Sequence, residues 1–175
     1  MDTALVISLL ALLFTVFSFW WINARRGRLR VFPPRSYAAF GSETAKLVVD
    51  LPLLFFNDGP APYCVTNLRL CFEGEKGVRA LTFVATKGKL GTDQDRTFAT
   101  QFPVRGRDAL LLIREFQREP GGLVFEVGSY PMRLEAQLQA STKWRPLARF
   151  PLRVNPKGAS VINTQFLVHD NLGDD

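Results

Sequence analysis

Residues Thr3 to Ile22 read TALVISLLALLFTVFSFWWI, twenty positions without a charge. Such a run cannot stay in water and has to be covered by protein or by lipid. As a helix rising ~1.5 Å per residue it is about 30 Å long, the thickness of bilayer hydrocarbon. Trp20 and Trp21 close it, where amphipathic rings favour the headgroup level. A cleaved signal peptide would need a basic leader, a shorter apolar core and small residues before the cut. Here only Met1 and Asp2 precede the run, and the best cut, after Ala24, has Ile22 before it. The sequence therefore predicts an uncleaved transmembrane helix over 1–24.

Charge sets the expected orientation. Arg25, Arg26, Arg28, Arg30 and Arg35 follow the run, and no Lys or Arg precedes it. Positive residues stay on the cytoplasmic side, so a single-pass cell-membrane protein is expected, with its N-terminus outside and the rest in the cytosol. Arg25, Arg26, Arg28 and Arg30 are the candidates for contact with anionic lipid headgroups. Residues 25–45 read as a juxtamembrane linker. The pI near 9.7 has no bearing on nucleic acid. From Ser36 onward 17 basic residues face 15 acidic ones, without the excess that a nucleic-acid binder carries on its domain.

One face of the helix is distinct. Ala4, Ser8, Ala11, Thr15 and Ser18 are spaced 4, 3, 4, 3 and include every small residue of the span except Thr3. Small residues let membrane helices approach closely. This stripe is expected to pack on another membrane protein or a second copy of the chain.

From Lys46 onward the apolar residues recur with period two, and many of the chain's 15 Phe fall into that pattern. Leu47, Val49, Leu51, Leu53 and Phe55 form one face of a strand. Pro52, unable to donate a ladder hydrogen bond, predicts an edge or a bulge. Asn57–Pro62 is a turn cluster. Tyr63–Phe72 follows, with Leu68, Leu70 and Phe72 inward and Arg69 outward. Gly74 to Gly77 turns the chain. Later strands are marked by Leu81/Phe83/Ala85, Phe98/Thr100/Phe102, Ala109–Phe116 and Leu123/Phe125/Val127. A last hairpin is expected to pair Ala140 with Trp144, Leu134 with Phe150 and Glu135 with Arg149 across a three-residue loop. Cys64 and Cys71 share one strand, roughly 23 Å apart, which rules out a disulfide between them; their odd spacing points them to opposite faces. Unpaired thiols fit a reducing compartment. The whole predicts an all-β domain over 46–155, an antiparallel sandwich, and a tail over 156–175 in which Val161–Val168 could add one strand.

LPLLFFNDGPAPYCVTNLRL resembles the second and third strands of immunoglobulin-like and fibronectin-like bacterial modules, where an apolar strand ends in Asn-x-Gly and a proline turn before a Val-x-x-Leu-x-Leu strand. VGSYPMRLEAQL is similar to their Gly-x-Tyr strand. The resemblance spans residues 45–155 and implies an Ig-like β-sandwich. The chain departs from it in lacking an inter-sheet cysteine pair, and its late tryptophan, Trp144, lies on the last strand. The whole chain also resembles membrane-anchored bacterial proteins. Neither likeness brings catalytic residues.

Motifs for chemistry are missing. The single histidine, His169, reads as a solvated tail residue, and with two distant cysteines it assembles neither a zinc site nor a Cys–His pair. No phosphate-cradling or nucleophile-elbow glycine pattern occurs. Asp93 and Asp95 lack the glycine and closing glutamate of a calcium loop. Arg105, Arg107 and Asp108 form a charged turn. No catalytic, cofactor or metal residues are assigned, and the chain is not expected to be an enzyme. The expected function is a protein-interaction module at the membrane surface. The alternatives are a structural subunit assembled through the helix and, behind it, an enzyme or ligand carrier with an unrecognised pocket.

Overall fold

The computed structural model describes residues 3–74 and 77–172. The apolar run forms helix α1 (Thr3–Asn23), with no residue buried against the rest of the chain. It is long and apolar enough to cross a membrane, and it lies near the N-terminus, where signal sequences pass the same test. Asn23 closes it by donating its side-chain amide to Phe19 O.

The remainder is predominantly β, as the period-two pattern requires. The strands are β1 (Leu29–Phe32), β2 (Ser36–Phe40), β3 (Leu47–Asn57), β4 (Tyr63–Gly74), β5 (Gly77–Lys87), β6 (Thr97–Phe98), β7 (Phe102–Val104), β8 (Ala109–Arg118), β9 (Gly128–Leu138), β10 (Arg145–Val154) and β11 (Leu167–Asp170). A short helix, α2 (Pro156–Ala159), precedes β11, capped by the Asn155 side chain accepting from Gly158 N. The pairing is one continuous antiparallel ladder in the order β10-β9-β4-β5-β8-β3-β2-β11. Instead of the two facing sheets expected of a sandwich, a single sheet curls into a half-barrel around its own apolar face. Leu51, Leu53, Phe55, Leu70, Phe116 and Leu134 are wholly buried inside it.

The expected domain limits change. The supposed linker supplies β1 and β2, so the sheet begins at Leu29. Both pair with β3, one after the other, with Pro33 and Pro34 between them. This explains Pro52, which is neither at an edge nor in a bulge. The register passes from Asp50 opposite Ala38 to Leu54 opposite Phe32, and Pro52 falls in the gap, where no ladder donor is needed. At the other terminus turns occupy Ser160–Gln165, and the added strand is Leu167–Asp170. His169 is therefore no solvated tail residue. It pairs with Tyr37, its ring stands 5.3 Å from the tyrosine ring, and burial draws its pKa down.

Three local expectations also fail. Leu123–Val127 is not a strand: Phe125 plugs the core while Asn163 accepts from its amide and donates to its carbonyl. In the last hairpin Leu134 faces Ala148, Phe150 faces Met132 and Arg149 faces Arg133, because the connection from Leu138 to Arg145 is longer than three residues and sets another register, which a bulge between Pro146 and Ala148 then shifts by one. Glu135 consequently pairs with Arg69 and Arg133, at 2.5 and 2.9 Å, rather than with Arg149. A second bulge, between Val65 and Asn67, reverses the alternation along β4. Cys64 and Cys71 thus share the outer face, both unpaired, with Cys71 Sγ 3.8 Å from Glu135 Oε2. The turn expected over Gly74 to Gly77 includes Glu75 and Lys76, which lie outside the described residues.

Candidate functional site at the junction of helix and sheet

The end of the half-barrel that receives the helix is built from two turns. Asn57, the last residue of β3, is fully buried and binds both. Its Nδ2 donates to Ala61 O at 2.9 Å and Arg105 O at 3.1 Å, and its Oδ1 accepts from Gly59 N. Arg107 N donates to Gly59 O, which locks residues 57–62 and 104–108 together. These polar side-chain bonds replace ladder partners at a point where the strands have ended.

The same turns grip the segment leaving the helix. Asp58 Oδ1 accepts from Arg28 N at 2.5 Å, and Asp58 N donates to Arg28 O at 3.3 Å. Tyr63 Oη donates to Gly27 O at 2.5 Å. Gly27 and Gly59 cross backbone to backbone, so closely that a Cβ on either would collide with the other. Arg107, held at φ 54°, donates its guanidinium to Ile22 O at 2.9 Å, in the last turn of α1. The charged turn of Arg105, Arg107 and Asp108 thus meets the helix end.

Four of the predicted residues converge here. Arg25, Arg26, Arg28 and Arg30 line a concavity of about 310 Å³ together with Gly27 and Asp58. Arg30 forms an ion pair with Asp58 at 3.6 Å. The Arg25 guanidinium lies 4.3 Å over the ring of Trp21. Arg35 stands apart, between β1 and β2, its carbonyl accepting from Asn171 N. The helix stripe is also separate from this site. Ala4, Ala11 and Ser18 lie along α1 with Ser8 and Thr15, whose hydroxyls donate back to Ala4 O and Ala11 O. Trp20 remains exposed beside Trp21.

Sequence reasoning missed a second cluster, on the outer face of β3, β5 and β8. Lys87 Nζ stands 2.9 Å from Asp50 Oδ2, 2.8 Å from Glu115 Oε2 and 3.2 Å from Asp93 Oδ1. Arg96 clasps Glu115 through two bonds. Loop residues 88–96 and Phe166, whose ring is 4.8 Å from Lys87 Nζ, cover the cluster. Among the described residues Asp50 has no well-directed hydrogen-bond partner. Burial pushes its pKa up to about 6 against the pull of Lys87, while Arg96 and Lys87 hold Glu115 below the usual range. The only sequence signal was polar residues at alternate positions in apolar strands. Inside the half-barrel Arg114 lies between the Phe83 and Phe102 rings and reaches Thr86 Oγ1. Burial lowers its pKa to about 10. Among the described residues no group of three or more His, Cys, Asp or Glu could hold a metal ion.

The class defined by these features is coarse: an all-β domain joined, through a basic junction, to an N-terminal helix of membrane-spanning length. No protein-family model matches the chain. No curated protein matches it. Among solved structures it is similar to a protein from Archaeoglobus fulgidus known by its crystal structure, at 9% identity and a TM-score of 0.34, over 70% of this chain and 91% of the other.

Proposed function

We propose that this chain is a membrane-anchored, non-catalytic interaction module, with its β domain held in the cytosol against the inner face of the membrane and an outer sheet face that meets a partner protein. The observation that carries the reading is a row of apolar side chains on the outside of the sheet. Phe32 of β1 stands opposite Leu54 of β3, and Leu54 opposite Leu111 of β8. Phe32 is 49% and Leu111 64% exposed. Outer faces of antiparallel sheets are ordinarily polar, and side chains directly opposite one another form a continuous surface. Clustered apolar exposure of this kind marks contact sites more often than scattered residues do. The grip of the turns on residues 27 and 28 supports the anchored arrangement, because it presents the sheet in one fixed attitude to the helix. An Ig-like sandwich, implied by the sequence resemblance, is not needed for this function.

The test places a photo-crosslinking residue at position 111 of the full-length protein in native membranes, with a second at Arg149 on β10 as the comparison. Crosslinks to one protein from position 111, lost on Phe32→Glu, are expected. No crosslink from 111, or equal crosslinks from 149, counts against the sheet face. Crosslinks that vanish only on Ser8→Leu with Ala11→Leu would instead favour a structural subunit assembled through the helix. The mass of the mature chain decides between anchor and signal sequence.

A further inference from the structure

We propose that the concavity lined by Arg25, Arg26, Arg28 and Arg30 is a formed binding site for the phosphate of one anionic phospholipid headgroup. It rests on the anchored reading of α1 and goes further: a built pocket with a definite stoichiometry replaces a diffuse attraction of basic residues to the membrane surface.

The backbone makes the pocket. In an extended chain these four side chains would spread along roughly 17 Å, with Arg25 on the side opposite Arg26, Arg28 and Arg30. Instead Asp58 and Tyr63 bend residues 27 and 28 against the turn that follows β3, through the bonds of 2.5 Å at Arg28 N and Gly27 O. The close crossing of Gly27 and Gly59 admits no side chain at either position. The arc that results gathers the four arginines around one space of about 310 Å³. That volume is at the small end of ligand sites and suits a headgroup rather than a larger ligand.

Most of the charge in the pocket is uncompensated. Asp58 is the one acid among its described lining residues; one carboxylate oxygen is taken by Arg28 N and the other faces Arg30. Among the described residues Arg25, Arg26 and Arg28 have no carboxylate partner. Arg25 is half-buried, and its Nε is shielded from water without a hydrogen-bond acceptor. A guanidinium in that state calls for an oxyanion, and arginine binds phosphate through paired N–H groups. Depth names the source. The pocket opens two residues beyond the end of α1, and its Arg25 lies on the ring of Trp21. A tryptophan at that end of a spanning helix sits among the headgroups.

The experiment uses the full-length chain in nanodiscs of phosphatidylcholine with a minority of phosphatidylglycerol. Native mass spectrometry counts the phosphatidylglycerol retained on release. One molecule per chain is expected. Arg25→Gln with Arg28→Gln should weaken retention roughly tenfold or more, whereas Arg149→Gln with Arg153→Gln, an equal loss of charge on β10, should leave it unchanged. Equal loss in both pairs would mean general attraction and overturn the pocket. Displacement by inorganic phosphate, with the chain still in the disc, would make the ligand a soluble anion and overturn the lipid assignment. A mature chain that starts after residue 24 would refute the anchored reading itself, and its mass reports this separately from any lipid count.

Discussion

Asp50, Glu115 and Lys87 show how a single side chain can decide whether a charged patch is tolerated inside a protein. Two buried carboxylates share one ammonium group. Glu115 also has Arg96, so it stays ionised; Asp50 has only Lys87 and burial works against it. Because the folded-state pKa of Asp50 is raised from 3.8 to about 6, the folded chain holds that proton more tightly than the unfolded one. The associated stability is complete below pH ~3.8 and disappears as the pH rises through about 6. Glu115 has the opposite sign and loses its contribution only as the pH falls below 4.5. Asp50→Asn should abolish the fall in stability between pH ~4 and 6, a change on the order of 2 kcal/mol, read from urea midpoints across that range. A variant with the wild-type slope would show that Asp50 is ionised throughout. None of this was legible in sequence, since Lys87 is 28 or more residues from Asp50 and Glu115, Arg96 is 19 from Glu115, and they meet only once β3, β5 and β8 pair.

At the scale of elements, the half-barrel is closed by side chains where the ladder stops. Tyr37 Oη donates to Arg153 O at 2.7 Å. Asn171 Nδ2 donates to Pro151 O at 2.9 Å and Pro34 O at 3.0 Å, while its Oδ1 accepts from Arg153 N at 2.8 Å. One buried amide thereby acts as a strand partner for β10 and ties it to the β2–β11 edge. An open edge would otherwise present unpaired backbone groups to other chains. Asn171→Ala should leave two acceptors, Pro34 O and Pro151 O, and one donor, Arg153 N, unsatisfied, at a cost of about 2–3 kcal/mol. Hydrogen exchange should report it as faster exchange at Arg153, with β4 and β5 unchanged. Equal acceleration throughout the sheet would mean global destabilisation without a local seam. The residues of this seam escaped the sequence reading because the tail looked like an appendage. Period two was correct for β3 and for β4 from Asn67 onward, and failed where the β4 bulge added one residue and where the turn between β9 and β10 set another register.

At the scale of the whole molecule, helix and sheet are joined through a short, bonded junction. The five residues between α1 and β1 include three of the arginines, and in an unrestrained linker they would be open to trypsin. Asp58 removes that freedom by fixing Arg28 N and pairing with Arg30. In detergent micelles Asp58→Ala should speed tryptic cleavage after Arg28 roughly tenfold, in proportion to the population of the opened junction, with the cleavage products located by mass. Unchanged kinetics would show that Tyr63 and Arg107 hold the junction without Asp58.

The sequence alone determined the apolar helix, the basic stretch after it and the predominance of strands. Each of these follows from local properties: a run without charge, a cluster of arginines and an alternation of two. It also placed Leu47 to Phe55 on the inner face, because an alternating strand beside one core has a single way to turn. Only the tertiary structure decided that the strands form one curled sheet, that β1 and β2 belong to it, that Asn171 closes it, and that Lys87 lies between two carboxylates. These depend on which distant segments meet, and pairing over long separations is fixed by burying the common apolar face together with turns and bulges that no local pattern encodes.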